Sequence, residues 1–271
     1  MTVGGRFLSR VVTMLVAVVA LVMVGAVPAV AESNSRTVQY VALGDSYAAG
    51  QGGGDYLNNC LESPNGYPYL LDAEKRIHLR TNVACTGAST QEVAETQLSA
   101  LNRGTRLVTL TVGAADLNLS EVLAACSPVP TDDCQGAIIN AIGLLPDLRD
   151  SLTELYALVA AEAPNALIVV TGYPYLFDVA PNCAQNASIM EQVNCATLLL
   201  NSTIQQAVAE QDSDVDIEYV DVTGAFSGHG IGSAVPFINP PQAGLPAAFH
   251  PNAAGYVAYA EAISEVVLQS A

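Results

Sequence analysis

A chain of 271 residues, 51% hydrophobic and 13% charged, carries enough apolar side chain for the core of one large domain or two small ones. That composition excludes a disordered tail, a collagen and a coiled coil. Nine basic against 26 acidic side chains leave a net charge of −17, and a phosphate-binding surface needs the opposite sign, which excludes a nucleic-acid binder.

The N-terminal stretch reads as a separate object. Arg6 and Arg10 form a basic region, Val11 to Ala26 is apolar, and Ala29-Val30-Ala31 fits a small-x-small cleavage site. Residues 1–31 are therefore expected to be a secretory signal peptide cleaved before Glu32, with 32–271 as one domain. An uncleaved anchor is the competing reading, because the apolar run approaches the roughly 20 residues that span a bilayer. Pro28 and the Ala-x-Ala site favour cleavage, and no later segment has transmembrane length. Cleavage removes two basic residues and no acid, leaving 7 basic against 26 acidic side chains, a charge of −19. No Lys or Arg occurs from Ser151 to Ala271, so this half has no basic patch for anionic lipid.

In the mature part, Val38 to Leu43 is a β-branched and aromatic run ending in Gly44, the pattern of a buried strand. A glycine-rich loop follows at Gly50 to Gly54. Leu79 to Ala84 reads as a second strand, Thr90 to Leu101 as a helix, and Arg106 to Val112 as a third strand stopped by Gly113. Gln135 to Glu162 carries helical periodicity, as one helix or as two with a break at Pro146. Ala166 to Thr171 is a fourth strand, Met190 to Gln211 a helix, Ile217 to Val222 a fifth strand, and Asn252 to about Gln269 a closing helix.

Strands alternating with helices predict an α/β fold with a five-stranded parallel sheet covered on both faces. The near-continuous apolar runs of the first, third and fourth strands suit that burial. Ligands of such sheets bind beyond the carboxyl ends of the strands. The segments found there are Gly44-Asp45-Ser46, Cys85-Thr86-Gly87-Ala88-Ser89 and Gly113-Ala114-Ala115-Asp116, while His250-Pro251 opens the last helix. A serine at a strand-to-helix turn exposes its hydroxyl near a helix dipole, and a distant histidine can serve as its base.

Six cysteines, Cys60, Cys85, Cys126, Cys134, Cys183 and Cys195, lie in the mature part. An even count in an exported chain points to disulfides, for which many connectivities are open. Cys126–Cys134 and Cys183–Cys195 would close short loops, which leaves Cys60–Cys85. No C-x-x-C spacing occurs and no histidine lies near a cysteine pair, so a zinc site is not expected.

In these motifs the chain resembles the SGNH (GDSL-type) hydrolase family, in particular its secreted, disulfide-containing actinobacterial esterases and lipases. Gly44-Asp45-Ser46-Tyr47 matches the first block, Gly87 the second, Gly113-x-x-Asp116 part of the third and His250-Pro251 the last, over about Val38 to Val267. The resemblance implies a three-layer α/β/α sandwich of flavodoxin-like type and a secreted monomer that cleaves lipid or simple acyl esters. It implies Ser46 as nucleophile, His250 as base, the N–H groups of Ser46 and Gly87 as oxyanion hole, and no metal or organic cofactor.

Two positions depart from the family pattern. Ala115 stands where the third block has an Asn that donates to the oxyanion, a loss that costs about 10²–10³ in rate. Ala247 stands three residues before His250, where an Asp usually orients the imidazole, and a mis-set tautomer has cost about 10⁴ elsewhere. A backbone carbonyl near Ala247 can replace the Asp. For the Asn, the available donors are Asn118, Thr86, Ser89 or a water. The expectation is a slow or narrow hydrolase, with a non-catalytic binder of lipid or cell-envelope material as the alternative. Acyl transfer to an alcohol would share the first half-reaction.

Other residues are read more plainly. His229 is expected to be structural or a wall of the cleft, and His78 to be on the surface. Asp212-x-Asp214-x-Asp216-x-Glu218 resembles a calcium loop but lacks its Gly and its closing Glu, so it reads as a solvated turn. The sequons at Asn118, Asn186 and Asn201 decide nothing about function. Gly50 to Gly54, with Tyr56 and Tyr67, is expected to border the acyl pocket.

Overall fold

β1 (Val38–Gly44) is the second strand of a parallel sheet whose order is β2-β1-β3-β4-β5, with β2 at Ile77–Asn82, β3 at Leu107–Thr111, β4 at Leu167–Thr171 and β5 at Ile217–Val220. The computed structural model describes residues 37–126, 133–244 and 246–269, all within the unit that begins at Arg36. The expected signal peptide and cleavage site lie outside these residues. Among the described residues no helix is long and apolar enough to cross a membrane.

Around the sheet run α1 (Ser46–Ala49), α2 (Tyr67–Asp72), α3 (Thr90–Thr96), α4 (Leu119–Cys126), α5 (Cys134–Gly143), α6 (Leu145–Glu162), α7 (Ile189–Ala209) and α8 (Ala253–Gln269). α2 packs against α8, while α3 packs against α6 and α6 against α7, which covers both sheet faces as the parallel arrangement requires. β3 is buried along its whole length. Its threonines are accommodated because their hydroxyls are paired: Thr109 with Tyr40 at 2.6 Å, and Thr111 with Thr171 at 2.6 Å and with Tyr67 at 2.9 Å. Tyr259 of α8 continues the chain of hydroxyls to Thr171 at 2.8 Å and stacks on Tyr67 with ring centroids 5.0 Å apart. Tyr67 is thus a fully buried core residue, without the exposure that a wall of the expected acyl pocket needs.

Local chemistry sets the element boundaries. Capping boxes start α3 (Ser89 with Glu92) and α7 (Ser188 with Glu191). The long periodic stretch is two helices: α5 ends at Gly143, and Pro146 lies in the first turn of α6, where a missing N–H costs nothing. β2 begins and ends two residues before the expected strand, because its pairing with β1 starts at Val38 opposite Ile77 and its alternating exposed His78 and Arg80 hide the run. The Asp212 segment is a turn closed by Val215 N–H to the Asp212 carbonyl at 3.0 Å, leading into β5. All three disulfides pair as the spacing suggested, Cys60–Cys85, Cys126–Cys134 and Cys183–Cys195.

Candidate active site

The site begins where β1 ends. Gly44 has φ +129°, and a Cβ there would meet the Thr111 carbonyl at an impossible separation, so only glycine permits this turn. The turn is sealed by Asp45 N–H donating to the Thr111 carbonyl at 2.9 Å. Asp45 then caps α1, its carboxylate accepting from the Tyr47 N–H at 2.9 Å. Ser46 is consequently the first residue of a one-turn helix at the carboxyl end of a central strand.

His250 reaches Ser46 from the segment before α8, its Nε2 lying 2.9 Å from Ser46 Oγ. Its Nδ1 lies 2.9 Å from the Ala248 carbonyl, one residue beyond the alanine that replaces the expected Asp. A carbonyl only accepts, so Nδ1 holds the proton in this contact and Nε2 turns its lone pair to the serine. Burial pushes the His250 imidazole down to about 4, with the Ala248 hydrogen bond opposing it. The ring is therefore neutral near pH 7, the form that can accept a proton.

The histidine loop is held from several sides. Phe249 has φ +64°, a strained conformation for a non-glycine residue, and its carbonyl accepts from Tyr47 OH at 2.8 Å. Asn239 accepts the Phe249 N–H on its carbonyl at 2.8 Å and donates twice to the His250 carbonyl, from its backbone N–H at 2.9 Å and from Nδ2 at 3.1 Å. The same Nδ2 reaches the Gly52 carbonyl at 3.1 Å. A Cβ at Gly52 would strike the Pro251 carbonyl and His250 Cβ, so this part of the glycine-rich loop braces the histidine from behind.

Gly87 lies on the turn after β2, with φ +77°. That turn is bound to the serine strand by Cys85 N–H to the Gly44 carbonyl at 3.0 Å, and to the 50s loop by Cys60–Cys85 and by Thr86 N–H to the Cys60 carbonyl at 3.1 Å. Neither the Ser46 nor the Gly87 N–H donates to a protein acceptor among the described residues. Nothing within 4 Å would meet a Cβ on Gly87, so glycine is needed there for its left-handed backbone rather than for lack of room.

The three side chains considered as substitutes for the third-block Asn are all placed elsewhere. The Thr86 hydroxyl donates to Gln51 Oε1 at 2.5 Å, and the Ser89 hydroxyl caps α3 and contacts Glu92 at 3.2 Å. Asn118 is exposed and lines a surface cleft with Glu121 and Asn140 of α4 and α5. The Ala115 loop is held from behind: Ala114 N–H donates to Tyr173 OH at 3.2 Å, which donates to Asp45 at 2.5 Å, and Asp116 accepts from the Thr90 hydroxyl at 2.6 Å. Burial raises the Asp45 carboxyl to about 7, against the hydrogen bonds from Tyr173 and Tyr47 that lower it.

The structure brings the candidates Ser46 and His250 into contact, with Gly87 on a neighbouring turn; Gln51, Tyr173 and Asn239 were not singled out in the sequence, and Tyr47 only as part of the first block. Only Tyr173 carried a usable signal, since Gly172-Tyr173 follows the fourth strand at the same end of the sheet. His229 stacks on Phe237 at 3.8 Å and bonds the Val235 carbonyl at 2.7 Å, a structural role in the segment leading to Asn239. His78 is an exposed edge-strand residue 3.6 Å from Asp72.

A five-stranded parallel α/β/α sheet, with a serine after its first strand and a histidine before its last helix, is the arrangement of the SGNH hydrolases. The sequence profile of the GDSL-like Lipase/Acylhydrolase family matches residues 42–258, and the chain belongs to this family, a hydrolase of the lipase/esterase type. It is 31% identical over 240 residues to a lipase of Streptomyces rimosus, covering 87% of this chain and 89% of that one. Its fold is similar to the crystal structure of phospholipase A1 from Streptomyces albidoflavus, with a TM-score of 0.76 at 33% identity over 84% of this chain and 99% of that one. The extracellular lipase of Streptomyces rimosus gives a TM-score of 0.74 at 30% identity, with the same coverage of 84% and 99%.

Proposed function

We propose that this chain is an exported serine esterase or lipase that acts through an acyl-enzyme on Ser46, with His250 as base and a backbone oxyanion hole of two N–H groups. The observation that carries the reading is the 2.9 Å contact between His250 Nε2 and Ser46 Oγ, on a ring whose Nδ1 is occupied by the Ala248 carbonyl. In the first half-reaction Ser46 Oγ bonds to the ester carbonyl carbon and its proton passes to Nε2. The Ser46 and Gly87 N–H groups hold the oxyanion. As the intermediate collapses, the C–O bond to the alcohol breaks and Nε2 returns the proton to the leaving oxygen. Water repeats the sequence and releases the acid.

Lipid or simple acyl esters are the proposed substrates. The relatives are named as lipases and a phospholipase A1, and the surface charge of this chain disfavours polyanions. Three disulfides and the extracellular relative support export; the proposal takes residues 1–31 as the leader, 32–271 as one domain and a monomer as the working form.

A second reading is favoured by one feature: Ala115 removes a donor, and Thr86, Ser89 and Asn118 are engaged or exposed elsewhere. On that reading the protein binds a lipid or envelope component without turning it over. Hydrolysis of a nitrophenyl ester series from short to long acyl chains separates the two, with Ser46→Ala and Ala115→Asn measured alongside and a fluorophosphonate as a covalent probe. Ser46-dependent labelling and turnover, faster in Ala115→Asn by about 10-fold or more, is the expected result. Folded protein that neither labels nor turns over any chain length supports the binder.

A further inference from the structure

Gln51 has a buried side chain that ties three parts of the site together. Its Nε2 donates to the Pro246 carbonyl at 2.7 Å and lies 3.3 Å from His250 Nδ1, while its Oε1 accepts the Thr86 hydroxyl at 2.5 Å. Its backbone N–H donates to the Ser46 carbonyl at 2.9 Å, and its carbonyl accepts from Tyr256 OH at 2.7 Å. The orientation of the amide follows from its partners. The Pro246 carbonyl can only accept, so the NH₂ end faces it, and the same end faces the imidazole.

Nδ1 of His250 therefore meets two partners with opposite demands. The Ala248 carbonyl requires a proton on Nδ1, which leaves the Nε2 lone pair for Ser46. A hydrogen bond from Gln51 requires the lone pair on Nδ1, which moves the proton to Nε2 and removes the base. If both ring nitrogens are protonated, an N–H of Gln51 is set against the Nδ1–H, where a triad carboxylate would attract it.

We propose that Gln51 is a positioning residue that stands beside Nδ1 of His250 in the place of a triad acid, its amide governing which ring nitrogen holds the proton and how readily the ring takes a second one. The inference rests on reading Ser46 and His250 as the catalytic pair. Among the described residues no carboxylate bonds to the imidazole to override the amide. From α1 the ring meets Ser46 and the Tyr47 ring, whose centroid is 5.1 Å away and whose hydroxyl is given to the Phe249 carbonyl. Asp45 directs its carboxyl to the Tyr47 N–H and Tyr173 OH. From the 50s loop come Gln51 and the uncharged Gly52, and from the 239–248 segment the Asn239 amide and the Ala248 carbonyl. Burial lowers the His250 pKa with no anionic neighbour acting against it.

The test is ¹⁵N NMR of the histidine ring nitrogens, which reports tautomer and titration without requiring turnover. The three histidines are told apart by His250→Asn. The protein is compared with Gln51→Met, which keeps an unbranched side chain of similar length without the N–H, and with Gln51→Glu. The native ring is expected as the Nδ1–H tautomer with a depressed midpoint. Gln51→Glu is expected to raise the midpoint by about one pH unit or more, because an anion within ~4–6 Å favours the charged ring. Gln51→Met is expected to raise it by less and to alter the tautomer balance, and it decides the matter if Gln51→Glu does not fold. A folded Gln51→Met with both tautomer and midpoint unchanged overturns the proposal. Ester turnover with an unmoved histidine defeats this inference and leaves the esterase reading intact, whereas a moved histidine in a protein without turnover does the reverse.

Discussion

At Ala115 a methyl group stands where the family uses an amide, and at Ala247 another stands where it uses a carboxylate. The two losses differ because a backbone can supply an acceptor almost anywhere. The Ala248 carbonyl lies 2.9 Å from Nδ1 and, on the proposed mechanism, takes over the orienting function of an Asp, though not its charge. Desolvation holds the part-buried imidazole down to about 4, with no such charge to oppose it. On the proposed mechanism base catalysis needs the neutral ring, so activity is present above the folded pKa and is lost as pH falls through it. Ester turnover by this protein is therefore expected to keep its rate down to a pH near 4. A pH–rate profile whose acidic limb instead falls near the ordinary histidine value of about 6.5 would place a charged partner beside the ring.

At the scale of elements, the site is assembled from turns at one end of the sheet, each pinned to its neighbour. The apolar runs of β1, β3 and β4 were legible because a strand buried on both faces must be apolar along its length. β2 was less so, since an edge strand alternates exposed and buried residues. α1 and α2 left little trace, being too short for helical periodicity to register. The Cys60–Cys85 bridge has a clear local duty, because it ties the 50s loop to the turn that carries Gly87. Replacing both cysteines by serine is expected to cost about 3 kcal/mol of stability, read as a lower urea midpoint. Turnover is expected to fall about tenfold even where the variant is fully folded. Undiminished turnover there would mean that the hydrogen bonds of Cys85 N–H to Gly44 and Thr86 N–H to Cys60 hold the turn unaided.

Across the whole molecule, the buried Asp45 joins the serine turn to the Ala115 loop through Tyr173, and burial raises its pKa from 3.8 to about 7. A raised folded pKa contributes stability that is complete below the unfolded value and is lost as pH rises through the folded one. His250, with its lowered pKa, contributes in the opposite sense, its share being lost as pH falls from about 6.5 toward 4. Asp45→Asn keeps the shape without the charge. Its stability relative to the native protein is expected to improve by a few kcal/mol between pH 4.5 and 7.5, measured by urea unfolding at both. A difference that does not vary with pH would show that Asp45 keeps an ordinary pKa in the fold.

The sequence by itself determined the parallel α/β class and the disulfide pairs, because each depends on local pattern or spacing, and its short motifs singled out Ser46, Gly87 and His250 as candidate site residues. It also marked Ala115 and Ala247 as departures. Only the tertiary structure decided what answers them, since Ala248 meets the imidazole by backbone and the three candidate donors are engaged or exposed elsewhere. The same holds for Gln51, Tyr173 and Asn239. Their contacts join segments up to 205 residues apart, as between Gln51 and Tyr256, and no local pattern in a chain encodes which distant carbonyl or ring a buried amide or hydroxyl will find.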